Sequence, residues 1–230
     1  MSRVTVSYAR SIAIISLYLG SLAVAHADEP QRERDAFRFG GFLGVGFVDW
    51  MGKDADGEVP GEVTVARPDG LAGLVASIDL NAVLSLGIRP FYLAVQTELA
   101  YGGKGTGFER EGVDGSYSVN LTYLQVGLLV RAEYSRVNGI VPYIALGPEL
   151  GILRSAKFNN RFGDTSDIKD NLKSTDLGLI VGLGAMYALP AWGALGLELR
   201  ADLGLVSIDG QGDGDEIRNA ALTLLLVYLY

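Results

Sequence analysis

Beyond residue 36, apolar side chains recur at every second position, in stretches separated by segments rich in Gly, Asp and Asn. A period of two is the spacing of a β-strand that turns one face toward an apolar medium. Eight such stretches are predicted as strands: Phe37–Val48, Leu71–Leu80, Pro90–Tyr101, Tyr117–Ala132, Pro142–Arg154, Asp176–Leu189, Ala194–Val206 and Ile217–Tyr230. On the first, Phe37, Phe39, Gly41, Leu43, Val45 and Phe47 share a face. On the seventh, Leu195, Leu197, Leu199, Ala201, Leu203 and Leu205 do so. Each stretch is long enough for a tilted strand to cross a bilayer, which takes about 9–11 residues.

The connections alternate in length. The odd ones are long: Asp49–Gly70, Gly102–Ser116, Ser155–Thr175 and Ser207–Glu216. The even ones are short: Asn81–Arg89, Glu133–Val141 and Pro190–Gly193. Long outer loops alternating with short periplasmic turns, on an even number of strands, are the signature of a bacterial outer-membrane barrel. The same alternation puts both termini on the periplasmic side. Pro90 and Pro142 open strands that follow short turns, where a missing N–H costs least.

The faces opposite the Leu-rich ones are small or polar. They carry Gly196, Glu198, Arg200, Asp202 and Gly204 on the seventh stretch, and Tyr92, Ala94, Gln96, Glu98 and Ala100 on the third. On the fifth they carry Tyr143, Ala145, Gly147, Glu149 and Gly151. A soluble, lipocalin-like carrier would show the same alternation with its apolar face lining a cavity. Uniform rows of Leu are too bulky for the narrow interior of eight strands, whereas glycines fit it. Aromatics near the strand ends point the same way: Phe37, Phe39, Phe91, Tyr187, Trp192, Tyr228 and Tyr230 at the turn end, and Phe47, Trp50, Tyr101 and Tyr117 at the loop end. They read as two interfacial girdles. The inward charges then need partners, because a lone buried charge is very costly. Arg38, Arg131 and Arg200 can pair with Asp79, Glu98, Glu149, Glu198 and Asp202. A plug of ion pairs is favoured over a proton or ion path, since barrels of this size are normally filled.

The N-terminus reads as an address. Arg3 and Arg10 precede an uncharged apolar run, Ser11–Val24, and Ala25-His26-Ala27 fits a small-x-small cleavage site. Residues 1–27 are therefore expected to be a cleaved Sec-type signal peptide, residues 28–36 a charged periplasmic segment, and residues 37–230 the barrel domain. Its apolar core is short for a membrane helix of about 20 residues. Cleavage takes the net charge from −8 to −10 and removes His26, the single histidine; the chain has no cysteine. The acidic balance argues against nucleic acid as a partner. The lack of Cys excludes disulfides and thiolate metal sites.

Several segments also resemble one family. Val141-Pro142-Tyr143 with Gly147-Pro148-Glu149-Leu150-Gly151-Ile152-Leu153 resembles the P-Y-x-x-x-G-P-x-x-G/S-x-L strand of the PorT-like outer membrane β-barrel proteins. Leu121–Val130 is similar to their L-N-Y-L-E-I-P-L-L-L strand, with Gln125 and Gly127 in place of Glu and Pro. Thr97-Glu98-Leu99-Ala100-Tyr101 with Lys104-Gly105 is similar to their E-L-x-Y-x-x-x-G segment. The resemblance covers most of Phe37–Tyr230 in matching order and implies the fold. It implies no assigned activity beyond a secretion role for one member, to which no residue here is tied.

Candidate chemistry is sparse. A His-based hydrolase has no mature His to use. Glu198 and Asp202 share an inward face but lie about 13 Å apart along a strand, with Arg200 between them. The acidic loops Asp54–Glu58 and Asp209–Glu216 have the oxygen-rich, Gly-spaced composition that suits Ca²⁺, yet Ala220 stands where an EF-hand needs Glu. They read as solvated hairpin loops. No catalytic, cofactor-binding or metal residue is assigned, and no enzyme activity or cofactor is expected. The terminal Tyr228 and Tyr230 resemble the aromatic end read by the barrel-assembly machinery.

The chain is thus read as all-β: an eight-stranded, antiparallel, up-and-down transmembrane β-barrel in the bacterial outer membrane. Its expected partners are outer-membrane lipid and, during insertion, the assembly machinery. A structural or loop-mediated interaction role leads; a narrow channel or secretion-complex subunit, and a soluble ligand carrier, are the alternatives. The envelope or extracellular partner is left open.

Overall fold

A computed structural model describes residues 36–52, 62–84, 90–110, 117–134, 139–160, 162–189, 192–210 and 216–230. The expected signal peptide, nearly all of segment 28–36, the acidic loop Asp54–Glu58 and residues 211–215 of the last loop lie outside them. The strands are β1 (Phe37–Met51), β2 (Glu62–Val65), β3 (Arg67–Asp79), β4 (Phe91–Arg110), β5 (Tyr117–Tyr134), β6 (Ile140–Asn159), β7 (Thr165–Asp167), β8 (Thr175–Leu189), β9 (Gly193–Gly204) and β10 (Arg218–Leu229). A short helix α1 (Leu80–Leu84) follows β3, and one 3₁₀ turn spans Lys169–Asn171.

Each principal strand pairs antiparallel with its neighbours in the order β1-β3-β4-β5-β6-β8-β9-β10. β10 returns to β1 over an unbroken register from Gly40 opposite Leu229 to Met51 opposite Arg218, which closes an eight-stranded barrel. The seam is completed at the C-terminus, where Tyr230 N–H donates to the Phe39 carbonyl at 2.7 Å and Phe39 N–H to the Tyr230 carbonyl at 3.0 Å. Closure leaves no edge in the apolar zone, as a bilayer demands.

The apolar faces point outward. Leu43, Val45, Phe47, Leu74, Leu128, Ile144, Leu183, Leu197 and Leu224 are all about half exposed or more, while Arg131 and Glu198 are almost wholly buried. This is the reverse of a soluble carrier, and it removes that alternative. The outward apolar band runs from Phe91 to Tyr101 on β4 and from Leu177 to Tyr187 on β8, the length of a tilted crossing. At the turn end the aromatic girdle stands as expected, with Phe37, Phe39, Phe91, Tyr187, Trp192, Tyr228 and Tyr230 exposed. Tyr228 Oη donates to the Trp192 carbonyl at 2.7 Å.

Three expectations are corrected. First, Gly102–Ser116 and Ser155–Thr175 are not loops throughout. β4 and β5 continue to pair as far as Phe108 opposite Tyr117, and β5 and β6 as far as Ser118 opposite Asn159. β2 adds to β4 and β7 adds to β6, so a five-stranded sheet, β2-β4-β5-β6-β7, rises past the apolar band. Glycines in Gly102–Gly107 suggest a turn, but the ladder with β5 runs unbroken through the tract and holds it extended. Gly105 takes a φ of +122°, and a Cβ there would run into the Val119 carbonyl, so a side chain is barred at this point of the ladder.

Second, Trp50 and Tyr117 do not belong to an outer girdle. Phe47 and Trp50 are three residues apart and must face opposite sides of a strand. Trp50 meets Phe108 edge-on at 5.7 Å and packs against a buried apolar cluster of Val119, Leu121, Tyr123, Leu153, Ala156 and Ile208. Tyr117 stacks on Phe158 at 6.1 Å. This cluster stops the loop end of the barrel. Third, Asp79 pairs with no arginine among the described residues: its carboxylate accepts the backbone N–H groups of Asn81 and Ala82 at 2.8 and 3.2 Å and so caps α1.

A charged ring across the lumen

The inward faces build two polar layers. The lower one rests on β4 and β9, which stand third and seventh in the closed order and therefore face each other across the lumen. Arg200 on β9 reaches over and binds Glu98 on β4 through two parallel hydrogen bonds, at 2.6 and 2.8 Å. Its Nε also donates to Glu198 at 2.7 Å. Tyr143 Oη donates to the other oxygen of Glu198 at 2.7 Å. The Arg131 guanidinium lies over the Tyr143 ring at 3.5 Å and donates to Gln96 at 3.3 Å. Gln96 Nε2 in turn donates to Glu98 at 2.6 Å. Arg131, Tyr143, Glu198, Arg200, Glu98 and Gln96 thus form a closed ring from four strands. A planar guanidinium suits this task because its fork matches a carboxylate in two bonds at once. Glu133 extends the ring toward the turn end, within 3.1 Å of Arg131 and 2.9 Å of Arg38.

The ring fits because the walls beside it are glycine. A Cβ at Gly184 would strike the Tyr143 ring, and one at Gly182 would come 2.8 Å from Glu198 Oε1. Around it sit Phe42, Leu129, Ile180, Met186, Leu225 and Val227, all buried. Phe42 stands 5.2 Å from the Arg200 guanidinium and is accommodated over Gly73, where a Cβ would lie 2.5 Å from its ring.

The second layer lies nearer the loop end. Lys104 Nζ bonds Glu149 at 2.8 Å and Asp176 at 3.4 Å, and stands 5.5 Å from the Tyr123 ring. Asn219 donates to Asp176 at 2.8 Å and to Tyr123 Oη at 3.3 Å. Asp202 is buried in this layer. Of the inward residues expected from sequence, Arg131, Arg200, Glu98 and Glu198 meet as foreseen in one network, and Arg38 joins its margin. Glu149 pairs instead with Lys104, which the sequence pattern places in a connection, as it places Glu133. Glu198 and Asp202 are not brought together: Arg200 holds the first, and the second belongs to the other layer. Among the described residues, no three of His, Cys, Asp and Glu gather into a metal-binding shell. Of the acidic loop Asp209–Glu216, Gly210 is tied to the 3₁₀ turn of the neighbouring connection: its N–H donates to the Asn171 carbonyl at 3.0 Å.

Residues 29–210 match the family described as outer membrane protein beta-barrel domain. The chain belongs to that family. It is a small barrel of the bacterial outer membrane. No curated protein matches it in sequence. Among solved structures it is similar to Neisserial surface protein A, at 12% identity and a TM-score of 0.43, covering 83% of this chain and 96% of that one. It is also similar to the outer membrane protein OprG from Pseudomonas aeruginosa, at 13% identity and 0.43, covering 84% and 93%. The attachment invasion locus protein Ail of Yersinia pestis, solved with the heparin analogue sucrose octasulfate, gives 14% and 0.38, covering 84% and 99%. Scores at this level describe a common shape and no more; the barrel here rests on its own strand pairing.

Proposed function

We propose that this protein is a filled, non-conducting barrel whose work is done by the sheet and loops raised at its outer end. The observation that carries this reading is the Glu98–Arg200 bridge, which spans the lumen between opposite strands inside a closed ring. An ion crossing the barrel would have to break that ring and then pass the apolar stop at the loop end. The raised sheet β2-β4-β5-β6-β7 supplies the interaction surface, with Ser118, Asn120 and Asn159 on it, and the Arg67 guanidinium bonded to Asn120. Two readouts test this. Purified wild-type barrel in planar bilayers is expected to give no discrete conductance steps; ohmic channels would sink the proposal in favour of a pore. Removing residues 107–118 is expected to leave the barrel heat-modifiable on gels while abolishing the adhesion or complex formation that the full chain supports.

The PorT-like motifs support the same reading at one more point. Their Pro-Tyr element corresponds to Tyr143 on the inward face of β6, and Glu149, at a variable position just after the Gly-Pro element, lies on the same face, one in each polar layer. Membership of that narrower group is therefore part of the proposal, without a secretion role attached. So is the N-terminal processing: the mature chain is expected to begin at Asp28, and an intact-mass measurement on protein from outer membranes checks it.

A further inference from the structure

The two layers differ in charge balance. In the lower layer Arg38, Arg131 and Arg200 face Glu98, Glu133 and Glu198, three cations against three carboxylates. In the upper layer, among the described residues, Lys104 faces Glu149, Asp176 and Asp202, and the other cation near Asp202 is Arg200, already engaged by Glu98 and Glu198; the two layers together hold four cations against six carboxylates, an excess of two negative charges. Lys104 spends its close contacts on Glu149 and Asp176. Asp202 is only 6% exposed, and no donor among the described residues reaches its Oδ1. An ionised carboxylate left in that state would be strongly unfavourable.

Asp202 lines a small cavity of about 10 Å³, together with Lys104, Gln125, Thr223 and Asp69. Gln125 and Thr223 are themselves buried. The space admits one water-sized particle. Its walls offer a carboxylate, an amide oxygen and a hydroxyl, and Asp69, half-buried, adds a second carboxylate. Oxygen donors around a net negative charge suit a small hard cation rather than a soft metal.

We propose that the upper layer binds one small hard cation at Asp202, with Gln125 and Thr223 as neutral oxygen donors and Asp69 at its side. The ion offsets the excess charge that Lys104 leaves uncompensated. It does not depend on the interaction role proposed above, since a filled barrel of any function would need it.

The test uses the folded full-length mature barrel in detergent at pH 8, where carboxylates are ionised. Its heat-modification midpoint is followed in sodium chloride, calcium chloride and choline chloride at equal ionic strength. Sodium, calcium or both are expected to raise the midpoint over choline, saturably with concentration. In Asp202→Asn that cation dependence is expected to vanish while the barrel still folds, because the amide removes the unpaired charge and keeps the shape. Asp69→Asn is expected to weaken the cation effect without abolishing it. A wild-type midpoint equal in all three salts would overturn the proposal and assign the cavity to water. A cation effect that persists unchanged in Asp202→Asn would overturn it too, placing the ions elsewhere on the acidic chain.

Discussion

Replacing Arg200 by alanine is expected to destabilise the barrel by about 3–5 kcal/mol, the usual cost of removing one partner from a buried ion pair. Arg200 is nearly fully buried and is the hub of the ring, with two bonds to Glu98 and one to Glu198. Its loss strands two carboxylates in the lumen and breaks the bridge between opposite walls. The measurement is equilibrium unfolding in urea of barrel refolded into lipid, with wild type and variant compared at the same pH. Two controls separate the charge from the bulk. Arg200→Met combined with Glu98→Gln and Glu198→Gln is expected to recover most of the loss, because an unpaired charge is then absent. Lys173→Ala removes an exposed cation whose Nζ bonds the Ser207 carbonyl, and is expected to change stability by under about 0.5 kcal/mol. If Arg200→Ala unfolds like wild type, the ring is not what holds the lumen closed.

How much of this was readable beforehand follows from what a period of two can and cannot say. Parity alone assigns Glu98, Arg131, Glu198 and Arg200 to one face and Leu99, Val130, Leu197 and Leu199 to the other. Closure then makes the third and seventh strands of the ring face each other, so a contact between Glu98 and Arg200 was within reach of the sequence. The identity of the bonded pairs was not, because several carboxylates compete for each guanidinium and the choice depends on strand stagger. Lys104 and Glu133 were missed for a different reason. Gly-Gly-Lys-Gly-Thr-Gly carries turn chemistry, and local composition outweighed the alternation that runs on through Lys104, Thr106 and Phe108. Gly103, Gly105 and Gly107 alternate with those inward positions, and at Gly105 a Cβ would meet the backbone carbonyl of Val119 on the neighbouring strand. The signal was present in the inward row Val119, Leu121 and Tyr123 of the partner strand, each buried against the same tract. Trp50 was assigned to the girdle by its kind rather than its parity. Position along the strand settles that question, and aromatic identity does not.

Leu199→Arg is expected to cost about 2–4 kcal/mol in lipid, the range for an arginine placed near the middle of a bilayer on a barrel's outer face. Leu199 is the residue just before Arg200, yet it points the opposite way and is 46% exposed. It sits midway along the outward row, between Leu195 and Leu203, and its ladder partners are Leu183 and Leu224, both also outward. A charge there faces hydrocarbon and is too far from either girdle to reach the headgroups fully. The penalty is expected to shrink toward the rim, so Leu205→Arg should cost about 0–1 kcal/mol if the depth dependence of lipid-facing charges holds. The same substitutions in a soluble barrel would be nearly silent, since exposed positions tolerate charge within about 0.5 kcal/mol. Urea unfolding in lipid vesicles measures both variants against wild type. A Leu199→Arg barrel as stable as wild type, with no gradient between positions 199 and 205, would mean that the outward Leu rows do not face lipid. The arginine at 199 and the arginine at 200 therefore probe one rule from two sides: on adjacent residues of one strand, a guanidinium is required on the face that meets Glu98 and excluded from the face that meets the membrane.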